Sequence, residues 1–470
     1  MNDQATNDPT TLADLSAAEL LTGYRSGKWS PVEVTDAVLD RVDRLEPTLH
    51  ALYAADPERA RAAARASEQR WRAGRALPLD GVPVTLKENI ATEGTPVPLG
   101  SAATELVPAT EDAPAAARLR AAGAVLLAKT TMPDYGMLTS GLSSFHPTTR
   151  NPWDTTRTPG GSSSGAAAAA AAGYGPLHVG TDIGGSVRLP AGWCGIVGFK
   201  PSFGRVPVHP PFLGRVIGPL TRTVGDAALL TGVLSAPDPR DHLSLPPVDL
   251  PWEDLTGPVG GMRIGVHLDA GVGLAVDPEI GDAVLAAARA LEAAGAVLER
   301  VEPFLTREML DGLDTFWRVR AWSDLEALPE QRRSAVLPYI LRWAERGAHL
   351  SGVQAYRGFT QIDAMGVAAV RAGEPYDFVL SPTCPVPPPP ADWASPRNDA
   401  AHPFEHIGFT LPYNMSGQPA VSVPCGMTSS GLPIGLQISG RRFDDLGVLR
   451  LAAAFTAIHP PDRLVPDTGR

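Results

Sequence analysis

The 470-residue chain is 44% hydrophobic and 19% charged, ample material for one large core or, on length alone, for two or three smaller ones. Its formal net charge of −11 argues against a nucleic-acid partner, which calls for a basic face. Three cysteines, Cys194, Cys384 and Cys425, lack C-x-x-C spacing, so neither a disulfide framework nor a zinc site is expected, and a reducing cytoplasm suits the chain.

The start, Met-Asn-Asp-Gln, has neither the basic nor the apolar region of a signal peptide. Residues 12–75 read as helical. Leu12, Leu15, Leu20 and Leu21 recur at helical spacing, and Ser30-Pro31 opens a second helix with serine as N-cap and proline at the first position. Val34, Val38, Val42 and Leu45 continue its apolar face. Asp80-Gly81 is a turn before a short strand ending at Lys87. Residues 113–122 read as an alanine-rich helix closed by Gly123, and 124–128 as a buried strand. This alternation continues to about residue 235 and indicates an α/β core. The alanine run 166–172 is too short to span a bilayer, so no membrane partner is expected. The Pro-rich stretch 236–259 reads as a surface connection. A strand at 262–266, a helix at 278–294 and a strand at 296–301 follow, then mostly helix over 306–372. Residues 378–380 form a strand, and 385–390 a rigid loop with polyproline character. No internal repeat is visible. A single α/β domain over 1–470 is expected, with an N-terminal helical region at 12–75, a catalytic core at 80–235 and a helical excursion at 306–372.

Three segments carry the chemistry: Val-Pro-Val-Thr-Leu-Lys-Glu-Asn (82–89), Gly-Gly-Ser-Ser-Ser-Gly (160–165) and Gly-Thr-Asp-Ile-Gly-Gly-Ser-Val-Arg (180–188). Lys87, Ser162 and Ser186 together make a base, a proton relay and a nucleophile, the set that amide hydrolysis needs. Only four lysines occur, Lys28, Lys87, Lys129 and Lys200, so Lys87 is not a generic solubilising charge in a chain that uses arginine for that purpose. A desolvated lysine can lose its proton near neutrality and arginine cannot. Read alone, Lys87 also fits an ordinary strand-end charge. Gly184-Gly185 before Ser186 lets backbone N–H groups converge on one point, an oxyanion hole. Read separately, each glycine-serine stretch also fits a simple loop. A rival motif overlaps: Gly161-Ser-Ser-Ser-Gly165 formally matches the G-x-S-x-G nucleophile elbow, with Ser163 as nucleophile and His402, His406 or His459 as its late histidine. The polar, proline-broken 151–159 is a poor substitute for the aliphatic strand that an elbow follows.

These three segments, in order and spacing, resemble the amidase signature family. The likeness extends through 127–133, 194–207 and 409–437, nearly the whole chain. The resemblance implies an α/β fold with a large mixed β-sheet flanked by helices. It implies Ser186 as nucleophile, Ser162 as a bridging serine after a cis peptide bond, and Lys87 as base. It implies oxyanion-hole amides from Ile183, Gly184, Gly185 and Ser186, and support from Asp182, Arg188 and Ser163. One departure is Ser164, where the family pattern has glycine. No cofactor or metal is implied. Substrate choice is expected in residues 136–141, Gly136 and Leu138 among them, and around Trp317, Trp322 and Trp343, which favour an apolar or aromatic acyl pocket. Cys384 is expected to be structural. The expected partner is a small-molecule amide, with at most a second copy of the chain. The alternative is an A-type subunit of a tRNA-dependent amidotransferase, which needs partner chains; intact Lys87, Ser162 and Ser186 argue against an inactive scaffold.

Overall fold

Serine and proline punctuation sets the first helices. In the computed structural model, which describes residues 12–460 and 466, helices span Ala17–Ser26, Pro31–Leu49 and Pro57–Arg72. The second begins at a capping box: Glu33 N–H donates to Ser30 Oγ at 3.2 Å, and Ser30 N–H donates to the Glu33 carboxylate at 2.7 Å. The sequence places the first helical proline correctly but gives no hint of a two-residue strand, β1 (Leu52–Tyr53), between the second and third helices.

Ten further strands follow: β2 (Pro83–Lys87), β3 (Val125–Thr130), β4 (Leu177–Asp182), β5 (Val197–Lys200), β6 (Val216–Thr221), β7 (Arg263–Val266), β8 (Val297–Arg300), β9 (Phe378–Pro382), β10 (Ala420–Met427) and β11 (Pro433–Gly440). All join one mixed sheet in the order β1-β3-β2-β4-β6-β5-β10-β11-β9-β7-β8. Two parallel blocks, β3-β2-β4 and β9-β7-β8, flank an antiparallel centre. The parallel pairs are reached through helical crossovers, Pro114–Ala121 between β2 and β3 and Ser164–Ala172 between β3 and β4. Strands β2, β4, β6, β9 and β11 are buried at every position, which is why they read as continuous runs rather than alternating ones. At the far edge β8 is largely exposed, so the expected strand over 296–301 shrinks to four residues.

Helices Pro278–Ala293 and Asp445–Ile458 pack their apolar residues with those of β9, β10 and β11 into the largest core cluster. Between β8 and β9 the chain leaves the sheet for the expected helical excursion, Arg307–Glu326, Glu330–Arg333, Pro338–Glu345 and Gly352–Gly373. The proline loop over 385–390 is tied to the core by Trp193 Nε1, which donates to Val386 O at 2.9 Å, and by Thr158 N–H, which donates to Pro389 O at 3.0 Å. Among the described residues no helix is long and apolar enough to cross a membrane. The terminal parts of the expected 1–470 span lie outside the described residues.

Candidate active site

Lys87 is the last residue of β2, and β2 runs parallel to β4, so Lys87 and Thr181 emerge at the same carboxyl end of the sheet. Helix Ser164–Ala172 contributes the third wall. All nine of its residues are buried, and its alanine side chains let it pack against β2, β3, β4 and β6. Its N-terminal end carries Ser162 and Ser163 onto the β4 terminus. Gly180 is required there, since a Cβ would stand 2.6 Å from Ser163 Oγ.

Lys87 Nζ is completely enclosed and meets three hydroxyls: Ser162 Oγ at 2.8 Å, Ser163 Oγ at 3.1 Å and Thr181 Oγ1 at 3.1 Å. The peptide bond between Gly161 and Ser162 is cis. Burial pushes the Lys87 amine down to about 7; Asp182 and Glu88 oppose that shift, and Arg215 adds to it. Only hydroxyls contact the amine, and the two acids reach it through the longer-range field. Glu88 itself is turned toward Gly100 N–H and His146 Nε2. Lysine scarcity has a broader meaning than a single base. Lys129 and Lys200 are also buried, with amines pushed down to about 7 by desolvation, and are held by Ile90 O and Pro201 O respectively.

Ser186 follows β4 in a loop wound around the Asp182 carboxylate. That carboxylate accepts from Gly185 N–H at 2.8 Å, Val187 N–H at 3.1 Å and Asn414 Nδ2 at 2.8 Å. Arg188 closes the loop. Its five N–H donors meet Asp182 twice, Thr410 O, Gln437 Oε1 and Asn414 Oδ1, at 2.6–3.0 Å. Both charges are fully buried, and Arg188 holds the Asp182 carboxyl well below its ordinary range despite burial. Removing one partner of such a pair leaves the other charge stranded. Arg188→Ala is therefore expected to cost about 3–5 kcal/mol of folding stability, read as a lowered denaturant midpoint. A loss below about 1 kcal/mol would contradict this bracing role.

One expected oxyanion-hole donor is corrected by this geometry. The Gly185 N–H is committed to Asp182, so it does not face the cleft; the loop bends at Gly185, whose φ of 121° suits only glycine. The amides of Ile183, Gly184 and Ser186 make no such bond to Asp182. Ser164 opens the buried helix, and its hydroxyl donates to Ser140 O at 2.8 Å, so this departure from the family pattern adds a tie to the 136–141 segment.

Ser186 is half-buried and lines a narrow cleft of about 40 Å³ together with Gly136, Leu138 and Trp317, as the sequence suggests. Leu189, Phe404, Ile407 and Arg320 also line it, and no local motif signals them. Trp322 and Trp343 do not line it. Trp322 lies under the Arg333 guanidinium, and Trp343 is a core residue whose Nε1 donates to Asp314 Oδ1 at 2.8 Å. Their helical spacing gives no sign of which way they face. Cys384 is buried in the core beside Leu189 O.

The elbow reading fails on geometry. Ser163 is wholly buried, bonded to Lys87 and to the Thr181 backbone. The three late histidines are engaged elsewhere: His402 with Asp399, His459 with Cys425 O, and His406 with Thr139 Oγ1 at 2.7 Å. Burial pushes His406 down to about 3, so it is neutral.

Comparison with known proteins agrees with this architecture. The Amidase family profile matches residues 33–449. The A-type subunit of the glutamyl-tRNA(Gln) amidotransferase of Chloroflexus aggregans is 36% identical over 98% of this chain and 100% of its own. An acylamidase of Rhodococcus erythropolis is 34% identical over 95% of this chain and 96% of its own. The crystal structure of a bacterial aryl acylamidase of the amidase signature family superposes with a TM-score of 0.87 at 32% identity, over 95% of this chain and 96% of that one. The chain belongs to the amidase signature family and is an amidase, a hydrolase of amide C–N bonds.

Proposed function

We propose that the protein hydrolyses a small-molecule carboxamide, or a related acyl C–N bond, through an acyl-enzyme on Ser186. The observation that carries this reading is the enclosed Lys87–Ser162 contact of 2.8 Å behind a half-buried Ser186 that opens on a cleft. Neutral Lys87 takes a proton through Ser162 as Ser186 Oγ attacks the carbonyl. The amides of Ile183, Gly184 and Ser186 meet the developing oxyanion. Lys87 and Ser162 then return the proton to the leaving amine, and in the second half they take one from water. No metal or cofactor enters these steps. Leu138, Trp317, Phe404 and Ile407 favour an apolar or aromatic acyl group. Three free, buried cysteines suit a cytoplasmic setting.

The likeness to A-type amidotransferase subunits supports a second reading, in which the chain releases ammonia for a partner. Turnover of simple anilides by the purified chain alone favours the first reading; activity only with glutamine and added partner chains favours the second.

An acyl-enzyme partitions between water and any other nucleophile after the amine has left. Two amides sharing an acyl group but differing in amine are expected to give the same hydroxamate-to-acid ratio when hydroxylamine is added. A ratio that follows the leaving group, measured by chromatography of the products, would exclude the common intermediate.

A further inference from the structure

Two guanidiniums beside the cleft stand apart from every other enclosed arginine. Arg188, Arg205, Arg222 and Arg318 are each hydrogen-bonded to carboxylates or carbonyls. The guanidinium groups of Arg320 and Arg215 donate no hydrogen bond to any described residue. Both are only partly exposed, and both lie against the Phe212 ring, with Arg320 at 4.3 Å and Arg215 at 5.2 Å from its centroid. They are close enough to repel one another, and burial together with this repulsion holds Arg215 down to about 10; an arginine keeps its charge at neutral pH. Asp324 acts on both through space but forms no ion pair with either. Chains rarely gather like charges without a counter-ion, because enclosed charges are ordinarily paired.

Arg320 also lies one helical turn beyond Trp317, on the same face of Arg307–Glu326, and lines the same cleft as Ser186. The cleft is thus apolar along Trp317, Phe404 and Ile407 and cationic at Arg320. We propose that Arg320, backed by Arg215, is a specificity-determining anion site, and that the natural amide carries a carboxylate on an apolar body. The planar fork of a guanidinium matches a carboxylate in two parallel hydrogen bonds. This rests on Ser186 as the point of attack, since Arg320 is assigned by sharing its cleft.

The carboxylate can sit on the acyl side or the amine side, and chromogenic anilides separate the two. The mono-p-nitroanilide of glutaric acid is compared with pentanoyl p-nitroanilide, and the pentanoyl amide of an amino-nitrobenzoate with the same neutral anilide. The wild-type protein is expected to show a kcat/KM about tenfold or more higher for one carboxylated substrate than for its neutral match, the size of a charge-assisted hydrogen bond. Arg320→Met should bring that ratio close to one, and Arg320→Lys should retain part of it. The ratio is taken within each variant, so a change in the amount of folded protein cancels. Equal rates for charged and neutral substrates in both pairs, or a preference that survives in Arg320→Met, would overturn the assignment. Calorimetric titration of Ser186→Ala with the same compounds reads binding without turnover. Tighter, Arg320-dependent binding of a carboxylated anilide supports the anion site even if no anilide is cleaved, in which case the hydrolytic reading alone has failed. No binding preference removes the anion site.

Discussion

Ser186→Ala is expected to abolish turnover, with kcat falling by about 10⁴ or more while the fold is kept. Ser186 follows the turn at Gly185 and is half-exposed in the cleft, whereas Ser163 is sealed beneath it. The loop does not depend on the Ser186 hydroxyl. It is held by Asp182, Arg188 and the Ser186 carbonyl, which accepts from Ser163 N–H at 3.1 Å. Thermal melting should therefore show a folded variant. Retention of even about a tenth of the activity would remove Ser186 as nucleophile, since losing a catalytic nucleophile costs orders of magnitude. A Ser163→Ala variant that is the more damaged of the two would reinstate the elbow reading. Mass spectrometry of a stalled acyl adduct gives an independent answer, placing the added mass on the peptide that contains Ser186.

Lys87→Arg is expected to be nearly as damaging as Lys87→Ala, each lowering kcat by about 10²–10⁴, the usual worth of a positioned general base. Arginine keeps the positive charge and the hydrogen-bond donors but cannot give up its proton to become a base. Substantial activity in the arginine variant would mean that position 87 acts only as a fixed cation. The pH profile carries the same information. Only the neutral amine accepts a proton, and its ionisation is pushed down to about 7. Activity should be low in acid, rise through about pH 7 and level off on the alkaline side. A profile that falls through that range would reverse the required protonation state.

Lys87, Ser162 and Ser186 are readable in the sequence because each sits in a short segment whose glycines or prolines interrupt an otherwise aliphatic chain. What holds them is harder to read. Arg188 is held by Thr410, Asn414 and Gln437, residues 222 to 249 positions away, and nothing local marks them as its partners. The same is true of Phe404, Ile407 and Arg320 in the cleft wall, which come from segments joined only by the fold. Helical spacing places Trp317, Trp322 and Trp343 on helices without saying which side meets the cleft, and of the three only Trp317 lines it. The direction of the Gly185 amide depends on the carboxylate it finds, and backbone orientation leaves no mark in residue type. The α/β character follows from the alternation up to residue 235, but the antiparallel centre does not. Part of it is made by β10 and β11 inserting between β5 and β9, and the β10–β5 pairing, Ala420 with Lys200, joins segments far apart in the chain that no periodicity links.

With Lys87, Lys129 and Lys200 enclosed, Lys28 is the one lysine of the four that is exposed, its ammonium resting 4.5 Å from the centre of the Trp29 ring. The outer face of the protein is thus almost bare of lysine amines, its cationic character coming from guanidinium groups that ordinary acylating reagents leave alone. Coupling to an activated-ester support therefore has a single lysine anchor, just past the end of helix Ala17–Ser26, and leaves the cleft-forming segments unmodified. A solid-phase catalyst made this way would present its molecules in far fewer orientations than one coupled through many surface lysines.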